Sequence, residues 1–290
     1  MNLFVLGLGY SALYFIRRYR DRFARIAGTV TTPEKAKALE QEGIAAHVFA
    51  PDRADPQIAD ALTEAEGLLV SIPTNAAGDP VLERFGEEFA GAPRLRWVSY
   101  LSTVGVYGDH GGAWIDETTP PQPSSARARR RVAAEAAWLA LGTRAGKAVQ
   151  VFRLAGIYGP GRNALANLAD GTAKRIVKPG QVFNRIHVDD IAAVLMASIE
   201  RPCPGAIYNV ADDEPAPQQD MVAYAAALAG VSPPPEIPFE QADLSPMAVS
   251  FWGANRRVRN RRIRNELGVR LRYPTFREGL QALRDAGEGP

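Results

Sequence analysis

The chain has 290 residues, 46% of them hydrophobic and 23% charged, with a formal net charge of +2. That balance excludes a disordered tail and a membrane bundle, and it gives no general case for nucleic acid. The single cysteine, Cys203, excludes an internal disulfide framework and a cysteine-based zinc cluster. In chain order, short apolar runs at Leu3–Leu6, Ile26–Val30, His47–Phe49, Leu68–Ile72, Trp97–Leu101 and Val149–Phe152 alternate with amphipathic stretches. These stretches have helical length and lie at Ser11–Arg20, Glu34–Gln41, Val81–Phe89 and Arg127–Leu141. A strand with helices on both faces is buried on both and reads as a continuous apolar run. The alternation therefore predicts an α/β fold with a doubly wound parallel sheet.

Beyond Val149–Phe152 the pattern loosens. Tyr158–Gly161 is a turn cluster, and Asn163–Leu168 has room for one short helix. Asp189 or Asp190 is placed to cap an apolar helix over Ile191–Ile199, and Ala206–Val210 reads as a late strand that rejoins the sheet. The proline-rich Val231–Pro238 is a spacer, and the last stretch reads as a smaller lobe of short helices. No apolar run reaches the roughly 18–20 residues of a membrane span. No basic leader with a cleavage site precedes Leu3–Leu6, so the cytoplasm is the expected location.

The first run ends in Gly7-Leu-Gly9-Tyr-Ser-Ala12, a G-x-G-x-x-A loop between a strand and a helix. Gly7 permits the tight turn, Gly9 lets a diphosphate approach the backbone, and Ala12 keeps the helix against its strand. The helix N-terminus adds N–H groups and a partial positive charge. The second strand ends without an acid to read a ribose 2′-hydroxyl; Thr31, Thr32 and Lys35 stand there instead. Such a site tolerates a 2′-phosphate better than a carboxylate would, which favours NADP over NAD, although Lys35 also reads as a solvated helix charge. The cofactor-binding set is Gly7, Gly9, Tyr10, Ser11, Ala12, Thr31, Thr32, Lys35, Ser71 and Arg131.

Six motifs together resemble the short-chain dehydrogenase/reductase superfamily in its extended epimerase/dehydratase branch. They are Gly7–Ala12, Ser102–Gly108, Arg131–Glu135, Arg153–Pro160, Ile186–Asp190 and Ala206–Val210. The resemblance implies a Rossmann domain over 1–156 plus about 186–212, and a smaller substrate lobe over about 157–185 plus 213–290. It also implies an NAD(P) cofactor, a small polar or nucleotide-linked substrate, and a homodimer through helices; composition and charge give no expectation of a metal, nucleic acid or membrane partner. Members of the family place a Ser or Thr after the fifth strand and a Tyr-x-x-x-Lys on the next helix. Here Thr103 holds the first position, but Arg127 stands for the tyrosine and Arg131 for the lysine. Arginine keeps its proton at any working pH and so cannot replace a phenolic acid. Arg131 suits a ribose or an anion. Arg127 suits a carboxylate, a phosphate or an oxyanion, or else belongs to a solvated face.

Tyr107, on the loop after Thr103, is the better candidate for a substitute acid, with Tyr158 and water as the alternatives. His187 is expected to bond the backbone, and the loop acids Asp116 and Glu117 to face substrate or solvent. The arginines of Asn255–Arg272 read first as surface charge and second as a phosphate site. Two functions follow: an oxidoreductase or epimerase with an atypical active site, or a non-catalytic protein that senses NADP.

Overall fold

Four buried residues, Leu3–Leu6, make the first strand, Asn2–Leu6, the middle of the fold, because both of its faces are covered. The computed structural model describes all 290 residues. Its eight-stranded sheet runs in the order Ile207–Val210, Val149–Leu154, Trp97–Thr103, Gly67–Val70, Asn2–Leu6, Arg25–Val30, Ala45–Ala50, Arg53–Ala54. Asn2–Leu6 pairs in parallel with Arg25–Val30 on one side and with Gly67–Val70 on the other. The chain thus builds outward first one way and then the other. It reverses between Asn2–Leu6 and Gly67–Val70, and a crevice opens beyond the strand ends at such a reversal.

Helices Gln57–Glu64, Pro80–Gly91 and Ala126–Ala145 close one face of this sheet over Phe4, Leu6, Leu68, Val70, Val98 and Val151. Trp138 is fully buried there. It meets Phe89 edge-on at 5.2 Å, and its indole N–H donates to Asp79, the N-cap of Pro80–Gly91, at 3.0 Å. Every strand and helix expected in this half is present with ends shifted by a few residues. The helix Gln57–Glu64 is an addition, since a proline precedes it and only two of its residues, Ile58 and Leu62, are buried. The run Leu68–Ile72 ends as a strand at Val70, and Ser71–Pro73 leaves the sheet to flank the glycine loop.

The chain divides into two compact units. One comprises Met1–Thr103, Ala126–Arg153 and Ala192–Tyr208; the other comprises Val104–Ser125, Leu154–Ile191 and Asn209–Pro290. In the second, helices Ala164–Ala169, Gln218–Ala229 and Phe276–Asp285 enclose Tyr158, Leu165, Ala225, Phe276 and Leu280. Phe276–Asp285 starts with a capping box between Thr275 and Glu278. The arginine-rich stretch is not one helix: Arg257–Val258 pairs with Trp114–Ile115 as a strand, and a helix begins only at Arg261. Most of these cations are spent inside the unit, Arg256 on the Gly108 carbonyl, Arg262 on Glu266, Arg264 on Asp213 and Arg272 on Asp189. No helix is long and apolar enough to cross a membrane.

Candidate active site

Gly7 adopts φ +98°, a conformation glycine takes without cost, and a Cβ there would lie 2.9 Å from the Ile72 side chain. The turn is therefore closed on the side of Ser71 and Ile72. Gly9 differs: its φ of −94° suits any residue, and a Cβ added to it would meet nothing within 4 Å. The space over Gly9 faces the start of helix Tyr10–Arg18, which no side chain caps, whereas Thr32 and Asp79 cap the two helices that follow strands nearby. An uncapped N-terminus with open space before it is the local requirement of a diphosphate. Ala12, fully buried, and Ser11, 8% exposed, hold the helix to the sheet, and Tyr10 sits half-buried at its first position.

A cleft of about 860 Å³ runs from this loop across the strand ends within the first unit. It gathers five of the expected cofactor residues, Gly7, Gly9, Thr31, Lys35 and Ser71, while Tyr10, Ser11, Ala12 and Thr32 do not line it. The Thr29 hydroxyl accepts the Gly7 N–H at 2.9 Å, and the Lys35 ammonium donates to the Leu8 carbonyl at 2.8 Å. These bonds fix the glycine loop from below and from the side. Sequence reasoning overlooked the far wall, which includes Phe49, Asp52, Arg53, Pro80 and Arg84. The rule that ligands gather beyond the carboxyl ends of strands pointed to the turn after Ala45–Ala50. These residues fit the adenosine diphosphate half of a dinucleotide, with an open diphosphate cradle and a long slot lined by both apolar and cationic side chains.

The residues expected to do chemistry are placed differently, and none lines this cleft. Thr103 closes its strand, half-buried. Arg127 is exposed on the first turn of Ala126–Ala145. Arg131, expected to hold ribose or phosphate, is instead 8% exposed, with one guanidinium nitrogen tied to the Tyr100 hydroxyl at 2.7 Å and the Leu101 carbonyl at 3.3 Å. Its charged plane also lies over the Tyr100 ring. Burial raises the Tyr100 phenol well above its ordinary range, against the nearby Arg131 charge, so it stays protonated. One turn further on, Glu135 pairs with Arg153 at 2.7 Å and accepts a hydrogen bond from Ser102.

Tyr107 does not stand where a substitute acid must. It is fully buried in the second unit, and its hydroxyl donates to the Asn209 carboxamide oxygen at 2.9 Å. In the same unit Glu117 accepts the Asn209 N–H at 2.8 Å and is pushed upward in pKa by burial, so this loop acid is a tether rather than a solvated charge.

The corner at His187 also departs from expectation in part. His187 bonds the backbone as expected, its Nδ1 accepting the Asp189 N–H at 3.1 Å. The helix begins at Val188, so neither aspartate caps it; Asp190 accepts the N–H groups of Arg272 at 2.7 Å and Tyr273 at 3.1 Å. Burial pushes Asp190 up from 3.8 to about 6 and His187 down from 6.5 to about 4. Between those values the folded chain keeps a proton on Asp190 that the unfolded chain has released. That contribution to stability falls as pH rises. His187 acts oppositely, since the unfolded chain takes up a proton that the folded chain refuses, and stability falls as pH drops. Asp190→Asn is expected to expose the histidine slope. From about pH 6 down to about 4, chemical denaturation should show the variant losing up to ~1.4 kcal/mol per pH unit relative to the parent, and parallel curves would contradict the assignment.

Residues 88–211 match the model of the NAD dependent epimerase/dehydratase family. A solved structure described as a functionally unknown conserved protein from Silicibacter pomeroyi DSS is 49% identical, with a TM-score of 0.88 over 99% of both chains. Protein YeeZ of Escherichia coli K12 is 27% identical across 93% of this chain and 95% of its own length. A 3-diazoavenalumate denitrifying reductase from Streptomyces sp. is 30% identical over 57% of this chain and 58% of its own. With a Rossmann sheet, a glycine loop at its switch point and this match over residues 88–211, the chain has the fold of the short-chain dehydrogenase/reductase superfamily and is similar to its NAD-dependent epimerase/dehydratase branch.

Proposed function

We propose that the protein is an NADP-dependent oxidoreductase that moves a hydride to or from a small polar substrate without a phenolic acid. The observation that carries the reading is the open space over Gly9 at an uncapped helix start, continuous with a cleft that has no acid at the tip of the second strand. The nicotinamide of a bound cofactor supplies or accepts the hydride. Gly7, Gly9 and the first turn of Tyr10–Arg18 hold the diphosphate, Ser71 borders it, and Thr31 leaves room for a 2′-phosphate. Thr103, at its strand end, orients a substrate oxygen through its hydroxyl. Arg131 braces Tyr100 and the Leu101 carbonyl and so fixes the strand that carries Thr103.

The chemistry this set favours is reduction in which no oxygen needs a proton from the protein. Hydride addition to the carbon of an aryldiazonium cation meets that condition: the hydride forms the C–H bond, the C–N bond breaks with its electron pair leaving in dinitrogen, and the charges cancel with no proton required. The denitrifying reductase among the relatives supports this class. A second reading, a protein that binds NADP and turns nothing over, is favoured by the commitment of Tyr107 and Arg131 to internal bonds.

One experiment separates the two. The purified protein is incubated with NADPH and panels of carbonyl and aryldiazonium compounds while nicotinamide fluorescence is followed. Turnover confined to aryldiazonium compounds is the expected result. Cofactor binding with no turnover on either panel establishes the sensor, and rapid carbonyl reduction refutes the absence of an acid.

A further inference from the structure

The cleft contains three cations, Lys35, Arg53 and Arg84, and two acids, Asp52 and Glu83. The cations are not equivalent. The Lys35 ammonium already donates to the Leu8 carbonyl at 2.8 Å, which draws its charge toward the glycine loop. The Arg84 guanidinium lies 5.3 Å from the centroid of the Phe85 ring and is engaged there. Arg53 makes no side-chain hydrogen bond, ion pair or ring contact, and it is exposed.

Its place in the fold follows from a tight turn. The chain leaves Ala45–Ala50, reverses through Pro51 and Asp52, and returns antiparallel with Arg53 opposite Ala50. The side chain therefore rises from the carboxyl end of the strand next to Arg25–Val30, the strand whose tip carries Thr31. That tip offers hydroxyl groups but no charge of its own.

We propose that Arg53, rather than Lys35, is the residue that distinguishes NADP from NAD by binding the 2′-phosphate of the adenosine ribose. The inference rests on the NADP reading above and assigns its selectivity to one side chain. A guanidinium presents paired N–H donors that match two phosphate oxygens, and an unengaged one loses no existing bond in doing so. The neighbouring Asp52 and Glu83 carboxylates repel a phosphate, so the discrimination falls on the one cation that is uncommitted. Lys35 is a positioning residue for the glycine loop and affects every adenine nucleotide alike.

Titration calorimetry with 2′,5′-ADP and 5′-AMP on the full chain tests this without turnover. The parent protein is expected to bind 2′,5′-ADP at least about tenfold more tightly than 5′-AMP. In Arg53→Ala that ratio should fall to near one with 5′-AMP affinity unchanged, and Arg53→Lys should restore part of it. Lys35→Ala should weaken both ligands by similar factors. A parent ratio near one overturns the NADP reading itself. A parent ratio preserved in Arg53→Ala overturns only the assignment to Arg53, and a ratio lost in Lys35→Ala alone returns the role to Lys35. Because Arg53 is exposed and unpaired, an intact thermal transition in the variant is expected and excludes misfolding as the cause.

Discussion

Glu135→Ala is expected to destabilise the first unit by about 3–5 kcal/mol and to lower its thermal midpoint by on the order of 10 °C. Glu135 and Arg153 each have about 3% of their surface exposed, and the two are joined at 2.7 Å with Ser102 donating to the same carboxylate. Removing the carboxylate strands a guanidinium in a medium that cannot solvate it, and it leaves the Ser102 hydroxyl without its acceptor. The loss should appear in the denaturation midpoint before any effect on ligand binding is sought. The double variant Glu135→Leu with Arg153→Met removes both charges and is expected to recover most of the loss, since burying an ion pair costs nearly what the pair returns. If Glu135→Ala costs less than ~1 kcal/mol, the pair is solvated in solution and Ala126–Ala145 does not pack over it.

Gly9→Val should have the reverse profile. The backbone at Gly9 has φ −94°, and the space where a side chain would go is open, so folding should tolerate the change within about 0.5 kcal/mol. The isopropyl group would then occupy the volume over the first turn of Tyr10–Arg18. Affinity for NADP is expected to fall at least about 100-fold, a loss of ~2.7 kcal/mol. Calorimetry and a melting curve on the same preparation read the two effects separately. Undiminished NADP affinity in a folded Gly9→Val protein would show that the diphosphate lies elsewhere.

The sheet and its helices were legible in the sequence because burial on both faces leaves uninterrupted apolar runs, and the glycine loop because only glycine fits φ +98° against Ile72. The helix Gln57–Glu64 was not, since eight residues with two buried side chains carry too little periodicity to stand out. The limits of motif reading show most clearly at Arg131 and Tyr107. Arg131 stands where the resemblance implies a lysine and Tyr107 on the loop after Thr103, yet spacing cannot reveal that Tyr100, from a strand, claims the guanidinium, or that Asn209, from a distant strand, claims the phenol. Arg53 was missed for a related reason. Its significance lies in what it does not touch, and the absence of a partner is a property of three-dimensional packing alone.

The two-residue strand Arg53–Ala54 has a further consequence at the border of the sheet. A long parallel sheet ending in a bare strand would present a row of unused amides and carbonyls to any other extended chain, inviting fibril-like stacking. Here the outermost segment is too brief to template such growth, is preceded by Pro51, and bears a cation that repels its own copies. Colloidal behaviour and the coenzyme choice proposed for Arg53 would then meet in one turn of backbone, and selection on either would constrain the other.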